Sequence, residues 1–263
     1  MLPKKLFHYT SIETLALIIK YKKFRFTRLS LLNDPLEGKS SDLAKTEELV
    51  YCSSWSANPI DTIPMWKMYT DLKGVRLSVS SDSIFASSRP SSMQNFGSQV
   101  SPVTILQEPI TVNNVSGHKM PLPIQRVFGP EEVKYLNDIE AQKVKTTQSI
   151  TDCTSGKPVN RKWIKLDGVG LNKDICWEYE KEWRFRLTTH ESTIPVEQDL
   201  EQFVNFLTLE HDFIDVPVSE SFWENLEILM GPMCNEGQFV LLESLLNSYG
   251  IKANIIRSKI QIK

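Results

Sequence analysis

The chain has 263 residues, 41% of them hydrophobic, enough to bury the core of one large domain or two small ones. Thirty Lys and Arg against 32 Asp and Glu leave a formal charge of -2, so no global basic field marks nucleic acid as a partner. The longest apolar runs, LALII and FVLLESLL, are far too short to span a bilayer, and the first residues lack the apolar stretch of a signal peptide.

A cytoplasmic protein with no membrane contact is therefore expected. Cys52, Cys153, Cys176 and Cys234 are scattered, with no CxxC or CxxC/HxxxH pattern, and read as reduced thiols rather than zinc ligands or a disulfide framework.

The opening LFHYTSIETLALII predicts a short strand, Leu6 to Tyr9, feeding a helix. Thr10 and Glu13 have capping-box spacing, and Ile12, Leu15, Ala16 and Ile19 recur at helical period. Strand alternation sends His8 to one face and Phe7 and Tyr9 to the other; with Phe7 in the core, His8 faces a cleft or solvent. A lone His so placed is most often a half-buried surface residue.

KKFRFTR alternates as a strand and leads into LSLLNDPLEG, where Asn33-Asp34-Pro35 is turn chemistry. ELVYCSSWS is the next strand. NPIDTIPMWKMY predicts a helix with Asp61 as cap, Pro64 in its first turn, and Trp66 and Tyr69 on one side. GVRLSVS is a strand with Val75, Leu77 and Val79 inward.

From about residue 81 to 129 the text turns polar around the strand candidate VTILQEPI and predicts a loop-rich insertion. GPEEVKYLNDIEAQKVKT predicts a surface helix, with Pro130 at its start and Val133, Leu136 and Ile139 in repeat, and TDCTSGKPVN a solvated loop. KEWRFRL alternates strictly, DLEQFVNFL is amphipathic, and NLEILMGP, EGQFVLLESLLNSYG and IKANIIRS read as strand, helix and strand, with Gly250 as helix stop. The class is α+β, a single domain over 1–263 whose strands beginning near Leu6, Phe24, Leu49, Val75 and Glu182 form a mixed sheet around a cleft. Neither GxGxxG nor GxxxxGK[ST] follows a strand, which disfavours Rossmann and P-loop nucleotide binding.

CWEYEKEWRFRL carries the most chemistry. With Trp183, Phe185 and Leu187 in the core, Glu182, Arg184 and Arg186 share the opposite face, joined by Glu180 if the strand extends that far. Such a face is often only solvated cross-strand pairing.

Four pieces in order, with HYT, NDPxE, WxxY followed by GV, and EKEWR, resemble a widespread bacterial family of unknown function. That family is in turn similar to the ADP-ribosyltransferase-like fold, including the DarT type of DNA-modifying toxin, whose sequence also begins with a His-Tyr-Thr motif. The resemblance implies an ADP-ribosyltransferase-like core with NAD as substrate, in a toxin or phage-defence effector. His8, Tyr9 and Thr10 would then line the cofactor, His8 bonding the adenosine ribose or the nicotinamide amide, while Tyr69 or Tyr9 stacks on nicotinamide; Tyr51 competes for that role. Glu182 would be the catalytic carboxylate, with Glu180 serving the acceptor. Cleaving the nicotinamide N-glycosidic bond develops positive charge on the ribose, which a carboxylate stabilises. Arg28, Arg184 or Arg186 would meet the pyrophosphate.

The acceptor is open between nucleic acid, protein and water. The alternatives are a magnesium-dependent nuclease using Asp34, Glu37, Glu180 and Glu182, which lacks D...ExK spacing, and a non-catalytic recognition module. Asn33, Asp34 and Glu37 read as turn formers first, and Trp55, Trp66 and Trp183 as core aromatics.

Overall fold

The structure, a computed structural model, describes residues 2–82, 84–88, 92–96, 99–120, 123–152, 159–190 and 199–262. Its strands are β1 (Lys5–Thr10), β2 (Lys23–Arg28), β3 (Val50–Ser56), β4 (Val75–Ser80), β5 (Ser92–Phe96), β6 (Gln99–Ile110), β7 (Ile124–Glu132), β8 (Lys134–Leu136), β9 (Thr147–Asp152), β10 (Val159–Ile164), β11 (Asn172–Asp174), β12 (Glu182–Thr188), β13 (Phe213–Pro217), β14 (Glu227–Met230) and β15 (Asn254–Arg257). The helices are α1 (Ile12–Tyr21), α2 (Ile63–Thr70), α3 (Ile139–Gln142), α4 (Leu200–Leu207), α5 (Glu220–Glu224) and α6 (Glu236–Ser248).

An 11-stranded sheet runs β15-β14-β4-β1-β3-β12-β7-β6-β5, with β2 and β13 branching from β3. It is mixed, because β14 and β15 are parallel while its other pairs are antiparallel. No described helix is long and apolar enough to cross a membrane.

β3 is the hub. β12 pairs along its whole length, Glu182 opposite Ser56 through Thr188 opposite Val50. On its other edge β1 touches only at Phe7 opposite Ser56, and β2 only at Thr27 and Arg28 opposite Cys52 and Tyr51. The wedge between these strands is filled by His8, whose ring lies 4.8 Å from Phe24 and 5.1 Å from Trp55.

Both faces of this sheet are covered. One face carries Leu6, Val75, Leu77, Val79, Trp55, Phe185 and Ile228, packed with Leu15, Ile18 and Ile19 of α1 and Leu242 and Leu246 of α6 in one core. The other face carries Tyr9, which with Met65, Trp66 and Leu72 forms a second cluster under α2. The alternating apolar pattern described one face; the second is buried too, in part by polar and charged groups.

Several expectations are corrected. Ser11, not Thr10, caps α1 and accepts from the Thr14 N–H. Thr62 is the N-cap position of α2, while Asp61 accepts from the Trp66 indole and the Ser258 hydroxyl. The helix expected from Gly129 onward is largely extended: β7 runs through Glu132, β8 follows, and only Ile139–Gln142 is helical. Glu131 is buried there because Arg186 reaches it from β12, a cross-strand pairing that residue spacing cannot report.

The polar insertion contributes β5 and β6, which extend the sheet beyond β7 and bury Ser101 and Thr104. Of the loop expected at TDCTSGKPVN, residues 153–158 lie outside the described residues, and the flanks belong to β9 and β10. Cys52, Cys176 and Cys234 are free thiols; Cys153 lies outside the described residues.

Candidate functional site

The site is assembled on the face of β12 opposite Trp183, Phe185 and Leu187. Asp174 starts a 3-10 turn, Ile175–Glu180, by accepting from the Cys176 N–H, and Lys181 ends it in the left-handed region at φ 46°. That reversal lets Glu180 and Glu182, on either side of Lys181, reach the same partner. The Ser56 hydroxyl donates to the Glu180 carbonyl at 2.6 Å, and the Glu182 N–H donates to the Tyr135 oxygen at 2.7 Å, which fixes the backbone between them.

Glu37 arrives from the Asn-Asp-Pro turn. The Asp34 carboxylate accepts from the Leu36 N–H, and the chain then turns through Gly38 at φ +72°, where a Cβ would sit 2.8 Å from Leu29. Only glycine suits that backbone and that approach.

Lys173 of β11 stands at the centre. Its ammonium lies 2.6 Å from Glu180, 3.3 Å from Glu182 and 3.2 Å from Glu37, with the Trp177 ring centroid 4.5 Å away. Arg184 grips Glu182 with two bonds, Nε to Oε1 at 2.6 Å and Nη2 to Oε2 at 2.9 Å. It also donates to Glu37 at 2.8 Å and to the Gly170 carbonyl at 2.8 Å. Tyr69 of α2 closes the cluster by donating its hydroxyl to Glu180 Oε1. Glu182 is 4% exposed and Arg184 0%, whereas Tyr69 is 37% exposed and stands between Glu180 and solvent.

These contacts drive the two carboxyls apart. Burial, then the charge of Glu182, raises Glu180 to about 6, with Lys173 and the Tyr69 hydroxyl pulling it back. Burial also opposes ionisation of Glu182, but Arg184 and Lys173 more than offset it and hold Glu182 well below the usual carboxylate range. The Tyr69 phenol is pushed far above its ordinary value by burial and the neighbouring Glu180 charge, so it stays a hydrogen-bond donor. Lys173 is raised despite its burial because Glu182, Glu37 and Glu180 surround it.

The sequence-predicted residues divide. Glu180, Glu182, Arg184 and Tyr69 converge. His8 does not join them: it sits on the face of Trp55 and Phe24, while Glu182 pairs with Ser56 on the other face. Its Nδ1–H donates to the Ser54 carbonyl at 2.9 Å, and burial lowers its pKa to about 4. The expectation that His8 and Glu182 look into one pocket is thus not met, because strand alternation separates them across the sheet.

Thr10 is buried on the His8 face; its carbonyl would lie 2.4 Å from a Cβ at position 74, so that position requires Gly74. Tyr9 shares the face of Glu182 but is covered by Trp66, edge-on at 4.9 Å. Arg28 lies toward the other end of β3, bonded to Glu48, the Tyr51 hydroxyl and the carbonyls of Leu209 and His211. Arg186 is bonded to Glu131 and the carbonyls of Leu166, Asp167 and Val169. None of the three arginines holds its fork toward an open phosphate site. Tyr51 joins the Arg28 group, with its hydroxyl on the His211 carbonyl.

Sequence reasoning missed Lys173 and Tyr135, and gave Glu37 only a secondary role. NKDICWEYE contains the lysine at an i, i+7 distance from Glu180, which is no periodic signal for a strand and a 3-10 turn. The family described as "Protein of unknown function (DUF2971)" has a sequence model that matches residues 65–185. This span contains Tyr69, Tyr135, Lys173, Glu180, Glu182 and Arg184 and leaves out His8, Arg28 and Glu37. No curated protein and no solved structure matches the chain.

Proposed function

We propose that the chain is an ADP-ribosyltransferase-like enzyme that cleaves the nicotinamide N-glycosidic bond of NAD, with Tyr69 as the group that meets substrate, Glu180 as the proton acceptor reached through its hydroxyl, and Glu182 as the fixed negative charge behind them. The observation that carries this reading is the pair of neighbouring buried carboxyls, one gripped at both oxygens by Arg184 and the other, whose pKa burial and the Glu182 charge raise, bonded to Lys173 and to the hydroxyl of the partly exposed Tyr69. Two carboxyls pushed apart in proton affinity are the working parts of glycosidic cleavage, one to stabilise the oxocarbenium-like ribose and one to move a proton.

In the reaction, the bond between ribose C1' and the nicotinamide nitrogen breaks and its electron pair leaves with nicotinamide, neutralising the ring. The acceptor, water or a nucleophile X–H, forms the new bond to C1' and passes its proton to the Tyr69 hydroxyl as that hydroxyl gives its own to Glu180. Tyr69 supplies an aromatic edge and a hydroxyl at the entrance, which suits a planar nicotinamide. NAD as the substrate comes from the resemblance to the ADP-ribosyltransferase-like fold; this version of the site keeps Glu180, Glu182 and Tyr69 of that reading and omits His8, Thr10 and Arg28.

The nuclease reading has less support. Its acidic residues Glu37, Glu180 and Glu182 converge on the Lys173 ammonium, which stands where a divalent cation would have to sit.

Purified protein incubated with labelled NAD, alone and with cell lysate, should release nicotinamide, and Glu180→Gln should slow release without changing the circular dichroism spectrum. NAD left intact in every lysate would overturn the reading; a pull-down partner without turnover would then favour a recognition module.

A further inference from the structure

The buried cluster does not balance its charges. Glu37, Glu180 and Glu182 face Lys173 and Arg184, three carboxylates against two cations, in a region where each of the five is almost wholly enclosed. A net buried charge in a low-dielectric interior is costly, and the cheapest remedy is one proton. Glu37 Oε2 is buried without a hydrogen-bond partner, so the cluster is also one donor short.

Geometry says where that proton goes. Arg184 occupies both oxygens of Glu182, and Glu37 Oε1 is shared by Arg184 and Lys173. Glu180 instead meets one cation, Lys173, and one neutral hydroxyl, Tyr69. It is the weakest-held anion of the three and the one connected to solvent through an exposed side chain.

We propose that Lys173 is a positioning residue whose ammonium, shared among Glu180, Glu182 and Glu37, keeps Glu180 exchanging its proton at neutral pH instead of holding it permanently. The contact is specific. Lys173 is fixed by β11, which pairs with β8 so that Lys173 and Tyr135 stand side by side. The Trp177 ring bounds the ammonium on another side. The charged and titratable groups around Glu180 are Lys173 from β11, Glu182 and Arg184 from β12, Tyr69 from α2, Tyr135 from β8, Tyr179 from its own turn and Glu37 from the loop after the Asn33-Asp34-Pro35 turn. Among these, Lys173 and Tyr69 are the groups that bond the Glu180 carboxylate, and only Lys173 brings a charge. Removing it takes away the cation and leaves burial and Glu182, both of which favour the protonated acid.

This inference deepens the role assigned to Glu180 above, and its test does not need NAD. The carboxyl carbon of Glu180 in ¹³C-glutamate-labelled protein, assigned by its loss in Glu180→Gln, should titrate near 6 in the native chain. In Lys173→Met the midpoint should rise by roughly one unit or more, a tenfold shift, and Lys173→Arg should return it most of the way. Glu37→Gln, which leaves the ammonium to the other two carboxylates, should move it down, and serves if Lys173→Met does not fold. A midpoint unmoved in folded Lys173→Met, or unmoved in Glu37→Gln, would overturn the proposal. Where NAD turnover is present, its alkaline displacement in Lys173→Met must follow the same shift. A Glu180 shift in protein that leaves NAD intact would support the positioning role and reject the NAD reading separately.

Discussion

Arg184 and Arg186 sit two residues apart on one strand face, are equally buried, and make different things of the same guanidinium. Arg186 meets a single carboxylate, Glu131, and directs its remaining donors at the carbonyls of Leu166, Asp167 and Val169. Glu131 also accepts from the Ser101 hydroxyl. Charge balances and the chain is tied together: β12, β7, β6 and the 166–169 turn are held by one fork. Arg184 shares its carboxylates with Lys173, and the surplus anion ends at a phenol that reaches the surface. A buried ion pair that closes on itself is a structural tie, whereas one left a proton short and connected to solvent is equipped for chemistry.

The comparison is broken most directly by removing each arginine. Arg184→Met strands Glu182 and Glu37 beside a single ammonium and should cost on the order of 3–5 kcal/mol in urea denaturation. Arg186→Met should cost a similar amount, and adding Glu131→Leu should recover the share due to the stranded Glu131 charge, while the carbonyls of Leu166, Asp167 and Val169 that lose their donor keep the rest. Failure of the double variant to recover would mean that the Arg186 tie is no simpler than the cluster.

A smaller effect separates His8 from the site. Its folded pKa, about 4, lies below the ordinary value of about 6.5, so the folded state favours the neutral ring. The contribution is complete above the ordinary value and is lost as pH falls toward the folded one, by up to about 3 kcal/mol. Stability measured from pH 7 to 4 should fall less steeply in His8→Gln than in the native chain. Equal slopes would show the ring to be less enclosed than Phe24 and Trp55 make it. The smallest effect is that of Tyr69→Phe, which removes one donor from Glu180 and should change stability by about 1 kcal/mol or less.

Much of this was legible in the residues. The strands at Lys5, Lys23, Val50, Val75 and Glu182 and the helices at Ile12, Ile63, Leu200 and Glu236 follow from alternation and helical period. So does the common face of Glu182, Arg184 and Arg186, and α2 spacing put Trp66 inward and Tyr69 beside it. What was not legible were consequences of a sheet buried on both sides. A strand flanked by two layers hides its charged face, so Glu131 read as helix surface, Ser101 and Thr104 as loop, and His8 as a cleft residue. Lys173 was invisible because one lysine in a polar stretch has no pattern, and its three carboxylates come from β12, the Ile175–Glu180 turn and the loop carrying Glu37, which only the folded chain brings together.

The central claim is that Glu182 and Glu180 act on the N-glycosidic bond of NAD. The decisive measurement is nicotinamide release from labelled NAD by the native chain, by Glu182→Gln and by the Arg186→Met/Glu131→Leu double variant, each shown to be folded. Gln keeps the shape of Glu182 but removes the charge that a developing oxocarbenium needs, so release should fall by roughly two or more orders of magnitude while the double variant stays near native. Release that survives Glu182→Gln, or that is lost equally in the double variant, would contradict the assignment of chemistry to this cluster.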